Sequence, residues 1–348
     1  MIRSYFASIL LIFNWTYGQP ILEQFYFGGI DREYYLYVPD SISVEAPLVF
    51  VFHGYTGSAE GIMEYSGINE IADLNGFVAC YPQGTTDDFG NSFFNVGYSF
   101  HWNETVDDMG FVLSLAEYLQ SEYSLSQVNI FSTGMSNGGD FSYLLACEAS
   151  TYFRAIAPVA GIMMQWIFDA CNPTIPLPVL EIHGTNDNIS WWNGDSENVD
   201  GWGAYVGVDT TIGLWSEINN CASVALDTLQ DINQIDGSHV VTELYQDGIN
   251  GNEVWLYKII NGGHDWPGAW GNMDINASNL VWEFFDQFSL NYMIGDVDYS
   301  GAIEINDIFM ILDEINNDSD YNFLSDYNYD DSVDMNDIFA VVALLLGF

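Results

Sequence analysis

Six short runs, Pro47 to Phe52, Phe77 to Tyr81, Val128 to Thr133, Ala155 to Val159, Val179 to His183 and Val254 to Ile260, are β-like, and several are continuously apolar. A strand that is apolar on both faces has to be covered on both, which is the condition of a mostly parallel sheet clad in helices. Segments with helical spacing lie between them: Ile62 to Leu74, Gly110 to Tyr123, Asn137 to Cys147, Thr210 to Asn219 and Ser278 to Phe288. Two further β-like segments, Gln24 to Phe27 and Tyr34 to Val38, open the chain as an antiparallel pair. The pattern predicts a doubly wound, mostly parallel α/β sheet with an antiparallel start. In such sheets ligands bind beyond the carboxyl ends of the strands.

One of those ends carries Gly134-Met135-Ser136-Asn137-Gly138, where the β-run to Thr133 gives way to the helix-like segment from Asn137. A serine at a sharp strand-to-helix turn adopts a strained backbone, and the glycines two residues before and after let strand and helix approach without a Cβ clash. That is the setting of a nucleophile elbow. By itself G-x-S-x-G is a chance-level pattern, so the rest of the chain must supply a base and an acid. In α/β-hydrolases the order is serine, then Asp or Glu, then histidine, the last two on loops after strands. Of five histidines, His239 and His264 follow Ser136 at the right distance. His264 lies in the turn-rich Asn261 to Gly268 segment straight after the strand Val254 to Ile260 and is the expected base; His239 precedes a strand and is expected at the opposite edge. The acid is expected after the Val179 strand, at Asp187, with Asp195 as the alternative. Two backbone N–H groups should face the developing oxyanion: that of Asn137, next after the nucleophile, and that of Tyr55 in the loop His53 to Gly57. His53 is expected to support that loop. Trp102, Trp191, Trp192 and Trp266 are candidates to stack on substrate, with core packing as the competing role.

The chain has 348 residues and a net charge of −45, which arises from only four Lys and Arg in total. Nucleic acids and anionic membranes are excluded as partners, since both require a basic patch. Residues 1 to 18 read as a secretory signal, with Arg3 at the charged start and Phe6 to Phe13 as the apolar stretch. Four cysteines in an exported chain allow at most two disulfides; Cys147 with Cys171 is the better candidate pair, and Cys80, inside an apolar run, is expected as a buried thiol.

Composition changes near Ile294, and a repeat with an offset of thirty residues follows. Asp296, Asp298, Ser300, Ala302 (through its carbonyl), Glu304 and Asp307 occupy positions 1, 3, 5, 7, 9 and 12 of the first loop; Asp326, Asn328, Asp330, Ser332 (carbonyl), Asp334 and Asp337 occupy those of the second. Oxygen donors at this spacing form the EF-hand type of calcium cage, and each loop runs into an apolar helix. The pair resembles a type I dockerin. That resemblance implies a small all-α module over residues 294–348 that binds structural Ca2+ and meets a cohesin-type partner. Ser300 stands where the usual residue is Asp, and Asp331 where it is glycine.

Residues 25 to 290 resemble the secreted carbohydrate esterases that join feruloyl and acetylxylan esterases with polyhydroxybutyrate-depolymerase-like proteins. The matches come in that family's order: Tyr35 to Pro39, His53-Gly54, Ala72 to Phe77, Tyr81 to Gly84, Trp102-Asn103, Asp107 to Phe111, Thr133 to Gly139, Ala157 to Gly161, His183 to Asp187 and Gly262 to Gly268. The resemblance implies a hydrolase domain over residues 19–293, the triad Ser136, Asp187 and His264, and no cofactor for catalysis. Relatives commonly pair the cysteine at Cys221 with one before the Val254 strand; residues 240 to 253 hold none, so Cys221 is expected unpaired. The substrate implied is a feruloyl or acetyl ester of a xylan-type polysaccharide. A polyester such as a polyhydroxyalkanoate is the alternative, and a non-catalytic calcium-dependent adhesion or scaffold protein is the alternative of another class.

Overall fold

The computed structural model describes residues 18–290, 295–297, 303–317, 324–328 and 332–346. The segment 1–17 and the loop positions Asp298, Ser300, Ala302 and Asp330 lie outside the described residues. The chain divides between Ser289 and Leu290 into two compact units, close to the composition change at 294.

The larger unit opens with β1 (Ile21–Phe27) and β2 (Ile30–Tyr37), followed by β3 (Leu48–Phe52), α1 (Ala59–Ser66), α2 (Ile68–Asn75), β4 (Val78–Pro82) and α3 (Asp108–Tyr123). Next come β5 (Ile130–Met135), α4 (Asn137–Glu148), β6 (Ala155–Val159), α5 (Gln165–Ala170), β7 (Val179–Gly184) and α6 (Val208–Ile218). It closes with β8 (Ser223–Thr228), β9 (His239–Gln246), β10 (Val254–Ile260) and α7 (Ala277–Phe288). One ten-stranded sheet runs β1-β2-β4-β3-β5-β6-β7-β10-β9-β8. The middle, from β4 through β10, is parallel, and both flanks are antiparallel.

The apolar runs became strands because each is covered twice. Every residue of β3, β4, β6 and β7 is buried. Alternate side chains feed two cores: Phe50 and Phe52 pack with Phe94, Phe141 and Leu145 on one face, and Val49 and Val51 pack with Phe131, Phe284 and Phe285 on the other. Each such side chain contributes roughly 1.5–3 kcal/mol.

Two expectations change. The helix expected over Ile62 to Leu74 is two helices, broken at Gly67, which ends α1 in the left-handed region at φ 66° and begins α2. His239 was placed at the opposite edge, but β9 runs antiparallel to β10, and His239 pairs with Ile260. It therefore lies at the carboxyl end of β10, the end to which Ser136 also belongs.

Cys147 and Cys171 form a disulfide that ties the end of α4 to the residue after α5, closing a loop of 24 residues. A loop of this length is worth about 3 kcal/mol of unfolded-state entropy. Cys80 is a buried free thiol, and Cys221 is free and half-buried. Among the described residues no helix is long and apolar enough to cross a membrane.

The smaller unit holds α8 (Ile305–Asn317) and α9 (Met335–Leu346) around Val297, Ile311, Leu324, Ile338 and Val341. The repeat appears as matching geometry. Asp307 accepts from the backbone N–H of Val297 and of Glu304, both at 2.7 Å. Its counterpart Asp337 accepts from Asn328 at 3.1 Å and Asp334 at 2.8 Å.

Candidate active site

Ser136 sits at φ 57°, ψ −123°, between β5 and α4. A left-handed φ is unfavourable for a residue with a Cβ, and it holds here because the surroundings leave no alternative. The Ser136 N–H donates to Val159 O at 2.9 Å, and its carbonyl starts the helix by accepting from Asp140 N at 2.9 Å. The glycines are required by contact. A Cβ on Gly138 would stand 2.2 Å from Phe52 O, one on Gly134 would stand 2.7 Å from Phe52 O and Gly138 C, and one on Gly139 would stand 2.9 Å from Gly161 Cα.

The Asn137 side chain is not spent on the oxyanion. It pairs with the backbone of Phe94, accepting from its N–H at 2.7 Å and donating to its carbonyl at 2.9 Å, and so bolts the segment after β4 to the start of α4. The Asn137 N–H, in the first turn of α4, has no intrahelical acceptor and remains for a ligand. The second expected donor lies in the loop after β3, which abuts the nucleophile: a Cβ on Gly54 would be 3.3 Å from Ser136 Cβ. In that loop Thr56 N–H goes to Ser92 O and Gly57 N–H to Gly54 O, each at 2.9 Å, while the Tyr55 N–H takes part in neither bond. Its hydroxyl donates to Asp87 at 2.7 Å and accepts from Asn91 at 2.7 Å, and Asp87 also meets His101 at 3.0 Å. His53 has the supporting role expected of it. Its Nδ1 donates to Gly54 O at 2.8 Å and its Nε2 accepts from Gly84 N at 3.0 Å, while burial pushes its pKa down to about 4, so the ring is neutral.

Asp187 and His264 come together from the loops after β7 and β10. Asp187 Oδ2 accepts from His264 Nδ1 at 2.6 Å, and Oδ1 accepts from the N–H groups of Ile189 and Ser190, both at 2.8 Å. The two loops interlock: Asn186 N–H donates to Gly262 O at 2.9 Å and Asn261 N–H to Thr185 Oγ1 at 2.9 Å. Asp187 is buried, whereas the His264 side chain is 17% exposed. Asp195, the alternative acid, accepts from Asp200 N–H at 2.9 Å within its own loop.

A cavity of about 480 Å³ lies between the Tyr55 loop and the residues that follow Asp187. Its walls are Tyr55, Phe89, Phe100, Ile189 and Trp202, with Asn188 and Asp200 as polar groups. None of the four tryptophans chosen from the sequence lines it. Trp266 is 1% exposed in the core and donates to Ser278 Oγ, so it is not available to stack on substrate. Trp191 and Trp192 pack partly buried on the larger core; Trp102 is exposed outside the cavity. Trp202 is the tryptophan that lines the cavity, and local sequence does not mark it, because Tyr55 and Phe100 meet it only through the fold.

The acetyl xylan esterase of Aspergillus awamori superposes on 77% of this chain and 100% of its own with a TM-score of 0.56 at 16% identity. The fold is that of an α/β-hydrolase. The profile of the family described as Esterase PHB depolymerase matches residues 32–180, a span that takes in Tyr55 and Ser136 and ends before Asp187. Feruloyl esterase B of Piromyces equi is 27% identical over 249 residues, 70% of this chain and 42% of that protein. A protein described as probable feruloyl esterase C of Aspergillus niger is 29% identical over 168 residues, 48% of this chain and 58% of that one. The chain thus spans less than two thirds of the length of these curated relatives.

Proposed function

We propose that this chain is a secreted serine carboxylic-ester hydrolase that removes an aromatic acyl group of the feruloyl type from a polysaccharide. The observation that carries the reading is the 2.6 Å bond from His264 Nδ1 to buried Asp187, in an α/β-hydrolase whose elbow holds Ser136 at positive φ. With Nδ1–H given to Asp187, His264 Nε2 is the free base. It takes the Ser136 Oγ proton as the oxygen attacks the ester carbonyl, and Asp187 balances the imidazolium that results. The N–H groups of Asn137 and Tyr55 receive the oxyanion, a contribution typically worth about 10² to 10³ in rate per donor. His264 returns its proton to the leaving alcohol, and water then releases the acid from the acyl-serine by the same steps.

An acyl pocket walled by Tyr55, Phe100 and Trp202 favours an aromatic acid over acetate, since a flat ring fills it and stacks on its walls. The relatives named feruloyl esterase support the same choice. We expect purified protein to hydrolyse methyl ferulate with a kcat/KM at least about tenfold above that for p-nitrophenyl acetate corrected for its better leaving group, a gap of about 1.4 kcal/mol in transition-state binding. Acetylated xylan and a polyhydroxybutyrate suspension are the comparison substrates. Preference for the suspension would replace this reading with polyester cleavage. Export is part of the reading and is supported by the Cys147–Cys171 disulfide.

For the smaller unit we propose two structural calcium loops. Asp296, Asp307, Asp326 and Asp337 are buried at 0 to 3% exposure, and residues 290–348 contain no Lys, Arg or His. Oxygen donors at EF-hand spacing suit a hard divalent cation. Chelation with EGTA is expected to abolish amide-exchange protection in α8 and α9 while leaving protection of the large sheet and ester hydrolysis intact. Loss of hydrolysis with the sheet still protected would contradict this assignment.

A further inference from the structure

The strand β7 is buried on every residue, yet it carries Glu181 and His183 in its interior, at 1% exposure each. Their partners are specific. His183 Nδ1 meets Glu181 Oε1 at 2.8 Å and Nε2 meets Ser190 O at 2.8 Å. Glu181 Oε2 accepts from Tyr143 Oη at 2.7 Å, and Glu181 also accepts from Gly161 N–H. His183 Nε2 lies 3.6 Å from Asp187 Oδ2, the oxygen that receives His264.

We propose that His183 is a positioning residue held as an imidazolium, with Glu181 as its counter-ion, and that it sets the charge and the seat of the triad carboxylate Asp187. A carbonyl oxygen only accepts, so Nε2 carries a proton for Ser190 O. Nδ1 faces a carboxylate that already receives Tyr143 and Gly161, donors that favour its ionised form. Burial opposes the charge on His183, but Glu181 and Asp187 outweigh it and hold the imidazole above its ordinary range. Burial also pushes Glu181 up, so one proton lies between the two groups, and the nearby Asp187 places it on the ring. The seat is mechanical as well as electrostatic. Ser190 gives its N–H to Asp187 and its carbonyl to His183, so the loop that carries the acid is pinned from both sides. Trp192 covers the ring edge-on at 5.9 Å, which accounts for this tryptophan without any substrate contact.

The other charged groups around His183 are Asp140 and Tyr143 on α4, and Lys258 on β10. Burial pushes Asp140 up to about 7, and Tyr98 and Ile162 N–H hydrogen-bond it. Lys258 lies over the Trp192 ring and pairs with Glu243 and Asp209. None of the three is replaced in the variants below, and Asp140, which feels the charges of both Glu181 and His183, shifts with them.

The inference rests on the triad reading, and its first test does not use activity. In the full chain labelled with ¹⁵N-histidine at about pH 6.5, where an ordinary imidazole is only part protonated, His183 should show two protonated ring nitrogens; a neutral tautomer there overturns the proposal. The second test is the acid limb of kcat/KM, which reports deprotonation of His264. With its neighbouring cation gone, Asp187 acts on His264 undiluted and makes it a stronger base, so the limb moves to higher pH. His183→Gln and Glu181→Gln, which keeps the hydrogen bonds and neutralises the pair, should both shift it upward by about one unit, and His183→Gln should lower kcat about tenfold or more. An unmoved limb in folded Glu181→Gln overturns the charge role even if His183→Gln fails to fold. Should the triad reading itself be wrong, Ser136→Ala would retain hydrolysis while the nitrogen signals stayed as stated.

Discussion

Ser136→Ala lowers kcat by about 10⁴ to 10⁶ and leaves the melting temperature within a few degrees of the parent. The size follows from what the serine does: without an oxygen to acylate, only the oxyanion donors and substrate binding remain, and a nucleophile removed from a working triad costs about as much as the whole triad. The small effect on stability follows from the site. Ser136 is half-buried, and no core contact depends on its hydroxyl. Its φ of 57° is held by Val159 O, Gly134 and Gly138, none of which changes. The measurement is steady-state hydrolysis of methyl ferulate alongside thermal unfolding of both proteins. An unchanged rate in the folded variant would show that Ser136 is not the nucleophile, whereas no hydrolysis by the folded parent would favour the non-catalytic reading, in which the α/β body is only a scaffold.

Gly138→Ala destabilises the larger unit by about 3 kcal/mol or more, a fall in melting temperature of roughly 6 to 10 °C. The added carbon would stand 2.2 Å from Phe52 O and 2.6 Å from Phe52 C. Those are backbone atoms of β3, whose five residues are all buried, so no flexible side chain can give way. Either α4 lifts off the sheet or β3 shifts, and both movements disturb Ser136 and the Tyr55 loop together. Gly139→Ala should cost less, because its nearest contact is 2.9 Å away, at Gly161 Cα. Differential scanning calorimetry of the two variants checks the order, and a Gly138→Ala protein as stable as the parent would show that strand and helix are not in the close contact described.

The parallel half of the sheet was legible because burial on both faces removes polar residues from a strand, and β3 and β6 carry that mark along their whole length. The flank was not. All six residues of β8 are exposed, so Ser223–Thr228 has no apolar pattern to read, and the hidden reversal into β9 put His239 at the wrong end. Asp187 and His264 are chosen from chain order and loop position, and in the structure a 2.6 Å bond joins them. The cavity beside the Tyr55 loop was not legible, since Tyr55, Phe100 and Trp202 are spread over nearly 150 residues and meet only after the chain returns. Trp266 misled because a tryptophan next to the base reads as a wall of the cleft, while its ring turns inward to Ser278. Glu181 and His183 were read as strand, and a period-two pattern says nothing of a hydrogen-bonded ion pair inside it.

The claim on which the rest stands is that Ser136 is an activated nucleophile, and covalent capture tests it without reference to any substrate. Treated with a fluorophosphonate at neutral pH and digested, the protein should carry one equivalent of phosphonyl group, located by peptide mass spectrometry on Ser136, and His264→Ala should label at least about a hundredfold more slowly. Label elsewhere, or none in folded protein, would contradict the account.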